Sequence, residues 1–418
     1  MTLEATITEL CSKTRQAAKP LARAGSETRT KILHTLASVI ESDQHEILEA
    51  NAKDLAYGQS NGLSAAMMDR LKLDHARLAA LAASVRDIAA INDPVGEVAD
   101  SWTRPNGLEI QRLRLPLGVI MMIYESRPNV TIDAAALCIR SGNATILRGG
   151  TEAQFTNRVL ASCVGKALAE HDLPAEAVSL VPVQDREAID HLLNQSEYID
   201  LVIPRGGEGL IRRVVAKSRI PVIQHYKGVC HVFVDKEADL DIAHAIAINA
   251  KTQRPGVCNA LETLLIHQDV ASTFLPLLYE TLQHKSVEVR GCERVLSVLP
   301  SVKTASKEDW DTEFLDLILA IRVVDDLDAA IAHIDRHGSS HTASIITKNK
   351  AHASEFLNSV EASCVMVNAS TRFNDGGELG LGAEMGISTT RIHAFGPMGV
   401  ESLTSLKYAV IGEGQIRS

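Results

Sequence analysis

The feature that most limits what this chain can fold into is a change of texture after Pro94. Short β-rich runs, Val119 to Tyr124, Thr145 to Arg148, Val178 to Val181, Leu201 to Ile203 and His231 to Val234, alternate there with stretches of helical spacing. Strands separated by helices join in parallel through right-handed crossovers, so the pattern predicts an open sheet with helices packed on it. Residues 1–95, by contrast, place Ile32, Leu33, Leu36 and Ile40, then Ile47, Leu48 and Leu55, at helical spacing and predict an opening helical layer. At Ala238-Asp239-Leu240-Asp241-Ile242 a new helix begins behind an Asp cap, with Ile242, Ala245, Ile246 and Ala250 on one side. A second α/β region then runs from Glu262 to about Val367, ahead of a Gly-rich stretch from Asn374 to Gly399.

Two alternating regions in 418 residues exceed what one core usually supports, and two domains follow. Their expected limits are residues 1–235 and 236–384, with 385–418 as a C-terminal return. Within the first, Leu108-Glu109-Ile110-Gln111-Arg112-Leu113-Arg114-Leu115 alternates like a half-exposed strand, giving a flap strand at about 108–116. The last apolar strand, Ser405 to Ile411, is its expected partner in another subunit.

Composition removes several function classes. A net charge of -10 argues against nucleic acid or an anionic membrane as a partner, so anionic substrates must meet local basic groups. The longest apolar run, Leu117 to Tyr124, is too short to span a bilayer, and the N-terminus reads as no signal peptide. Seven scattered cysteines without a C-x-x-C pair suit free thiols in a reducing compartment, and the expected location is cytoplasmic. No metal site is expected: His333 and His337 are spaced i, i+4 without an H-E-x-x-H pattern and read as a solvated helix face.

Four constellations can carry chemistry. In Lys251-Thr-Gln-Arg-Pro-Gly-Val-Cys258-Asn259 a helix breaks at Pro255-Gly256 and a cysteine follows, a setting in which backbone N–H groups can activate a thiol and bind an oxyanion. Thr145-Ile-Leu-Arg148-Gly149-Gly150-Thr151-Glu152 is a strand, a small-residue turn and a helix; Arg148 at such a strand end could meet a ribose phosphate. Ile203-Pro204-Arg205-Gly206-Gly207-Glu208-Gly209 repeats that arrangement, and two such loops on one sheet edge favour a dinucleotide. Tyr124-Glu-Ser126-Arg127-Pro128-Asn129 ends a strand in polar groups that could face a substrate. A cysteine hydrolase, with Cys258 paired to His225 or His231, is a rival reading.

In their order along the chain these motifs resemble the aldehyde dehydrogenase superfamily. The resemblance is carried by Tyr124 to Thr131, Arg148-Gly-Gly-Thr-Glu, Ile203 to Leu210, Ala238-Asp-Leu-Asp, Gln253 to Thr263 and Asn374 to Gly382. It implies two Rossmann-like α/β domains with a small β oligomerisation flap. The implied activity is NADPH-dependent reduction of γ-glutamyl phosphate to glutamate 5-semialdehyde through a Cys258 thioester, in proline biosynthesis. Carried over by position, Arg148 suits the 2′-phosphate of NADP, and Glu313 matches the acid that binds the nicotinamide ribose. The oxyanion donor is Ser126 or Asn129, with Asn129 preferred, while Arg254 and Arg127 are candidates for phosphate or substrate carboxylate. A homodimer or tetramer, and the glutamate kinase that makes the substrate, are the implied partners. The family's water-activating glutamate has no counterpart: Gly209 to Val234 contains no Asp or Glu, and its place falls at Gln224 or His225.

Overall fold

A computed structural model of the chain describes residues 2–417. It divides into two compact units. The first comprises Met1–Gln224, Gly380–Gly386 and Met398–Ser418, and the second His225–Leu379 and Ile387–Pro397.

The first unit opens with five helices, α1 (Leu3–Arg23), α2 (Ser26–Ser42), α3 (Gln44–Ser60), α4 (Ala65–Leu71) and α5 (His75–Ala90). The expected stripe of α2, Ile32, Leu33, Leu36 and Ile40, is buried, and so is Ile47 of α3, whereas Leu48 and Leu55 of α3 are only half-buried; α5 adds buried Leu78, Leu81, Val85 and Ile88. After β1 (Val98–Thr103) and β2 (Glu109–Pro116) come β3 (Val119–Tyr124), α6 (Asn129–Arg140), β4 (Ala144–Gly149), α7 (Gln154–Ala169), β5 (Val178–Leu180), α8 (Glu187–Leu192), β6 (Leu201–Arg205) and α9 (Glu208–Lys217). The four strands form a parallel sheet in the order β5-β4-β3-β6. All six residues of β3 are buried, which is why a fully covered parallel strand reads as an unbroken apolar run. Chain order reverses between β3 and β6, and the carboxyl ends of strands beside such a switch point are where α/β sheets take ligands.

The second unit runs through β7 (Cys230–Val234), α10 (Leu240–Thr252), β8 (Leu261–His267), α11 (Gln268–His284), β9 (Glu288–Gly291), α12 (Glu293–Val298), β10 (Lys303–Thr304), β11 (Ile318–Val324), α13 (Leu327–His337), β12 (Thr342–Ile346), α14 (Lys350–Ser359) and β13 (Cys364–Val367). These seven strands form a second parallel sheet, ordered β10-β9-β11-β8-β7-β12-β13. A short antiparallel pair, β14 (Ile387–Ser388) and β15 (Gly396–Pro397), completes the unit. The Asp239 side chain caps α10 by accepting from the backbone N–H of Asp241 and Ile242. Because β7 pairs with β8 and β12, residues 230–234 belong to this sheet, and the unit begins at His225 rather than after residue 235.

The last strand, β16 (Thr404–Ile411), lies antiparallel to β2 within the same chain, from Thr404 opposite Pro116 to Ile411 opposite Glu109. This corrects the expectation of a pairing between subunits: the facing edges of β2 and β16 already satisfy each other. The sheet β1-β2-β16 presents Trp102 edge-on to Tyr408, their centroids 6.2 Å apart, and exposes Val410 and Ile411. His333 also departs from expectation. It is buried against Trp310 and His231, and burial drives its imidazole pKa down to about 2.

Candidate active site

In the first unit the carboxyl edge of the parallel sheet gathers Glu125 and Ser126 after β3, Arg148 to Thr151 at the end of β4, and Arg205 to Gly207 after β6. Arg148 is buried; its Nη1 and Nη2 donate to the carbonyls of Gly149 (2.8 Å) and Gln184 (3.0 Å), and its Nε has no partner. Burial lowers its pKa, and among the described residues no carboxylate lies within ion-pair distance of it. The Glu152 carboxylate folds back to accept from both the N–H (2.5 Å) and the hydroxyl (2.8 Å) of Ser126. A Cβ on Gly150 would lie 2.2 Å from that carboxylate, so a larger residue there would have to displace the Glu152 side chain from Ser126. On the other side of β3, Glu125 accepts from the N–H of Gly207 (3.0 Å), and Arg205 donates to the carbonyl of Met385 (3.0 Å).

These groups fit a pyridine nucleotide. The unneutralised Arg148 supplies positive charge for a phosphate, and acids at the same edge can accept from ribose hydroxyls. Asn129, the first residue of α6, donates one Nδ2–H to Asp133 (2.8 Å) and keeps a second donor, whereas the Ser126 hydroxyl proton is committed to Glu152. Burial raises the Asp133 carboxyl to about 6.

In the second unit Cys258 sits, half-exposed, on the turn between α10 and β8. The turn is held from below: the buried Cys230 thiol donates to the Cys258 carbonyl (3.1 Å), and a Cβ at Gly228 would fall 1.9 Å from that oxygen. From the side, Asn259 donates to the carbonyls of Arg372 (3.4 Å) and Asn374 (2.9 Å), while Thr371 Oγ1 donates to the Asn259 carbonyl (2.7 Å). Arg254 is exposed, and among the described residues nothing makes a hydrogen bond or ion pair with it. Among the described residues no histidine nitrogen reaches the Cys258 sulfur; His231 is fully buried with Nδ1 against the Val229 carbonyl, and the His225 ring lies edge-on to His341 at 5.6 Å. The cysteine–histidine dyad of a hydrolase is therefore not formed.

Lys251 and Glu262, both fully buried, are joined at 2.7 Å, and the other Glu262 oxygen accepts from the Leu315 N–H (3.2 Å). This fixes the segment that carries Glu313, with the Phe314 ring 5.2 Å from the Arg290 guanidinium. Neither that pair nor Arg372 was singled out from the sequence. Eleven positions across a helix, turn and strand carry no periodic signal, and a loop arginine reads as solvated until the loop is placed.

The fold and the thiol turn together are those of the aldehyde dehydrogenase family. A model of the aldehyde dehydrogenase family matches residues 2–290, and the chain belongs to that family of pyridine-nucleotide oxidoreductases. Over 417 residues, the whole of both chains, it is 54% identical to a γ-glutamyl phosphate reductase of Geotalea daltonii. The crystal structure of γ-glutamyl phosphate reductase from Thermotoga maritima superposes with a TM-score of 0.97 at 44% identity, covering 99% of this chain and 100% of that one. An acetylating aldehyde dehydrogenase from Geobacillus thermoglucosidasius, 15% identical, shares the fold with a TM-score of 0.70 over 100% of this chain and 98% of that one.

Proposed function

We infer that this chain reduces L-glutamate 5-phosphate to L-glutamate 5-semialdehyde with NADPH, releasing inorganic phosphate, in proline biosynthesis. The observation that carries the reading is Cys258, half-exposed on its Pro-Gly turn, in a chain matched end to end by γ-glutamyl phosphate reductases.

In this reading the Cys258 sulfur attacks the γ-acyl carbon, the bond from that carbon to the phosphate oxygen breaks, and the acyl group is held as a thioester. Asn129, through its second Nδ2–H, is the side-chain donor to the developing oxyanion. NADPH, when bound, supplies the hydride that reduces the thioester. Scission of the carbon–sulfur bond then frees the aldehyde and restores the thiol. Arg148, Gly149, Gly150, Thr151, Arg205, Gly206 and Gly207 hold the nucleotide, Arg148 selects the 2′-phosphate, and Glu313 takes the nicotinamide ribose. Ser126, Arg127 and Arg254 contact substrate. Residues 2–224 with the return strand serve the cofactor, and the seven-stranded unit serves catalysis.

Seven free cysteines favour a reducing, cytoplasmic setting. The exposed face of the β1-β2-β16 sheet favours a homodimer or tetramer, and a glutamate kinase is the natural source of so labile a substrate. The test runs the reaction backwards, with glutamate 5-semialdehyde and NADP, following NADPH with and without inorganic phosphate. NADPH formation that requires phosphate is expected; no NADP reduction, or an equal rate without phosphate, overturns the reading.

A further inference from the structure

The segment after β13 brings to the thiol turn a cation that has no counter-ion. Thr371–Phe373 forms a single 3-10 turn tied to Asn259, the neighbour of Cys258, through the Arg372 carbonyl and the Thr371 hydroxyl, and the Asn374 carbonyl just after the turn also accepts from Asn259. The Arg372 side chain is directed separately. Its Nε donates to Gln253 Oε1 (2.7 Å), on the same turn as Arg254 and Cys258. Among the described residues its two terminal nitrogens have no hydrogen-bond partner and no carboxylate comes within ion-pair distance; Asp375 acts on it only through space. Partial burial and the like charge of Arg254 both hold its pKa down, and the Cys258 thiol is near enough for its charge to be felt.

A solely structural role does not account for this arrangement. The loop is fastened through the backbone of residue 372 and through Thr371 and Asn259, none of which uses the guanidinium. A half-buried guanidinium beside a second unpaired one is unfavourable in the empty site and is relieved by an anion, which the paired terminal N–H groups can grip in bidentate fashion.

We propose that Arg372 is a substrate-binding residue that grips an anionic group of the acyl-phosphate substrate beside Cys258, with Arg254 adding charge to the same cradle. This rests on the function inferred above and adds a residue to it. The substrate carries two such anions, the phosphate and the α-carboxylate, and both offer the oxygen pair that a guanidinium recognises.

The test first establishes phosphate-dependent NADP reduction by the wild-type enzyme, so that failure of the functional reading is seen separately. Alkylation of Cys258 is then timed with anionic iodoacetate and neutral iodoacetamide on the full chain, without nucleotide, using Cys258→Ala as the blank. In Arg372→Ala the iodoacetate-to-iodoacetamide rate ratio should fall about fivefold, the size of one unit charge acting at short range, and Arg372→Lys should restore part of it. Steady-state oxidation of the semialdehyde separates the two anions. A rise of about tenfold or more in KM for phosphate assigns Arg372 to the phosphate. An equal rise in KM for the semialdehyde, absent with butyraldehyde, which lacks the α-carboxylate, assigns it to the carboxylate. An unchanged alkylation ratio, or no movement in either KM with both variants folded by circular dichroism, overturns the proposal.

Discussion

Replacing Lys251 by Met should destabilise the second unit in a way that depends on pH, and the structure fixes the sign. Lys251 and Glu262 are fully buried, and desolvation outweighs their attraction: it raises the Glu262 carboxyl to about 7 and lowers Lys251. In the unfolded chain a Glu titrates near about 4.3, so in the folded state this carboxyl binds its proton more tightly. The contribution of Glu262 to stability therefore declines as pH rises from about 4.3 toward 7, by at most about 1.4 kcal/mol per pH unit, and levels off above 7. Removing the ammonium deletes the group that lowers the Glu262 pKa, so in the variant the decline continues above 7. Below pH 7 the carboxyl can stay protonated, and the loss relative to wild type is about 1 kcal/mol, one hydrogen bond. Above 7 it grows with pH, reaching about 4 kcal/mol near pH 9, within the range of about 3–5 kcal/mol for orphaning a buried charge. Urea-unfolding midpoints of both proteins at pH 6, 7, 8 and 9 measure this directly. A difference that is constant with pH, or that shrinks as pH rises, would refute the argument that burial dominates the pair.

Cys258→Ala should abolish turnover while NADPH binding, followed by fluorescence titration, stays within about twofold of wild type, because the thiol holds the acyl group and not the nucleotide. In Arg148→Ala the preference for NADPH over NADH, as the ratio of kcat/KM values, should fall about tenfold or more, the value of one charge-assisted bond to the 2′-phosphate; an unchanged ratio removes Arg148 from that role. Light scattering at micromolar concentration should show an oligomer, and Tyr408→Asp on the exposed face of β16 should shift it toward monomer; a wild-type monomer contradicts the assembly.

What could be read from the sequence follows from which signals are local. The strand Val119 to Tyr124 and the Asp239 cap are set by neighbours a few residues away, and both formed as expected. The partner of β2 was not legible, because alternation marks a strand with one wet face but says nothing about which of two edges, nearly three hundred residues apart, will meet. His333 was misread for a related reason: spacing put it on a helix face beside His337, and only the packing of Trp310 and His231 makes that face an interior one. The exposed turn that carries Cys258, the proposed nucleophile, was legible because a Pro-Gly break is local. Arg372 was not, since it follows Cys258 by more than a hundred residues and reaches the thiol turn through Asn259 and Gln253.

The groups around that turn also explain why water should be a poor competitor for the thioester. General-base assistance contributes about 10²–10⁴-fold and requires an acceptor with a free lone pair and freedom to approach. Glu262 has one oxygen on Lys251 and the other on the Leu315 N–H. The Cys230 thiol is buried, its pKa pushed well up, and its proton is directed at the Cys258 carbonyl. His341 is buried with Nδ1 against Thr342 Oγ1 (2.7 Å), and burial lowers its pKa to about 4, which leaves it a weak base. The stretch from Gly209 to Val234, where the family's glutamate would fall, offers no carboxylate. Arg254 and Arg372 instead give the turn a positive field, which draws an anion such as phosphate and gives neutral water no comparable advantage. In the mechanism proposed above, a thiol so placed keeps its acyl group for phosphate or hydride, as reversible acyl-phosphate chemistry requires.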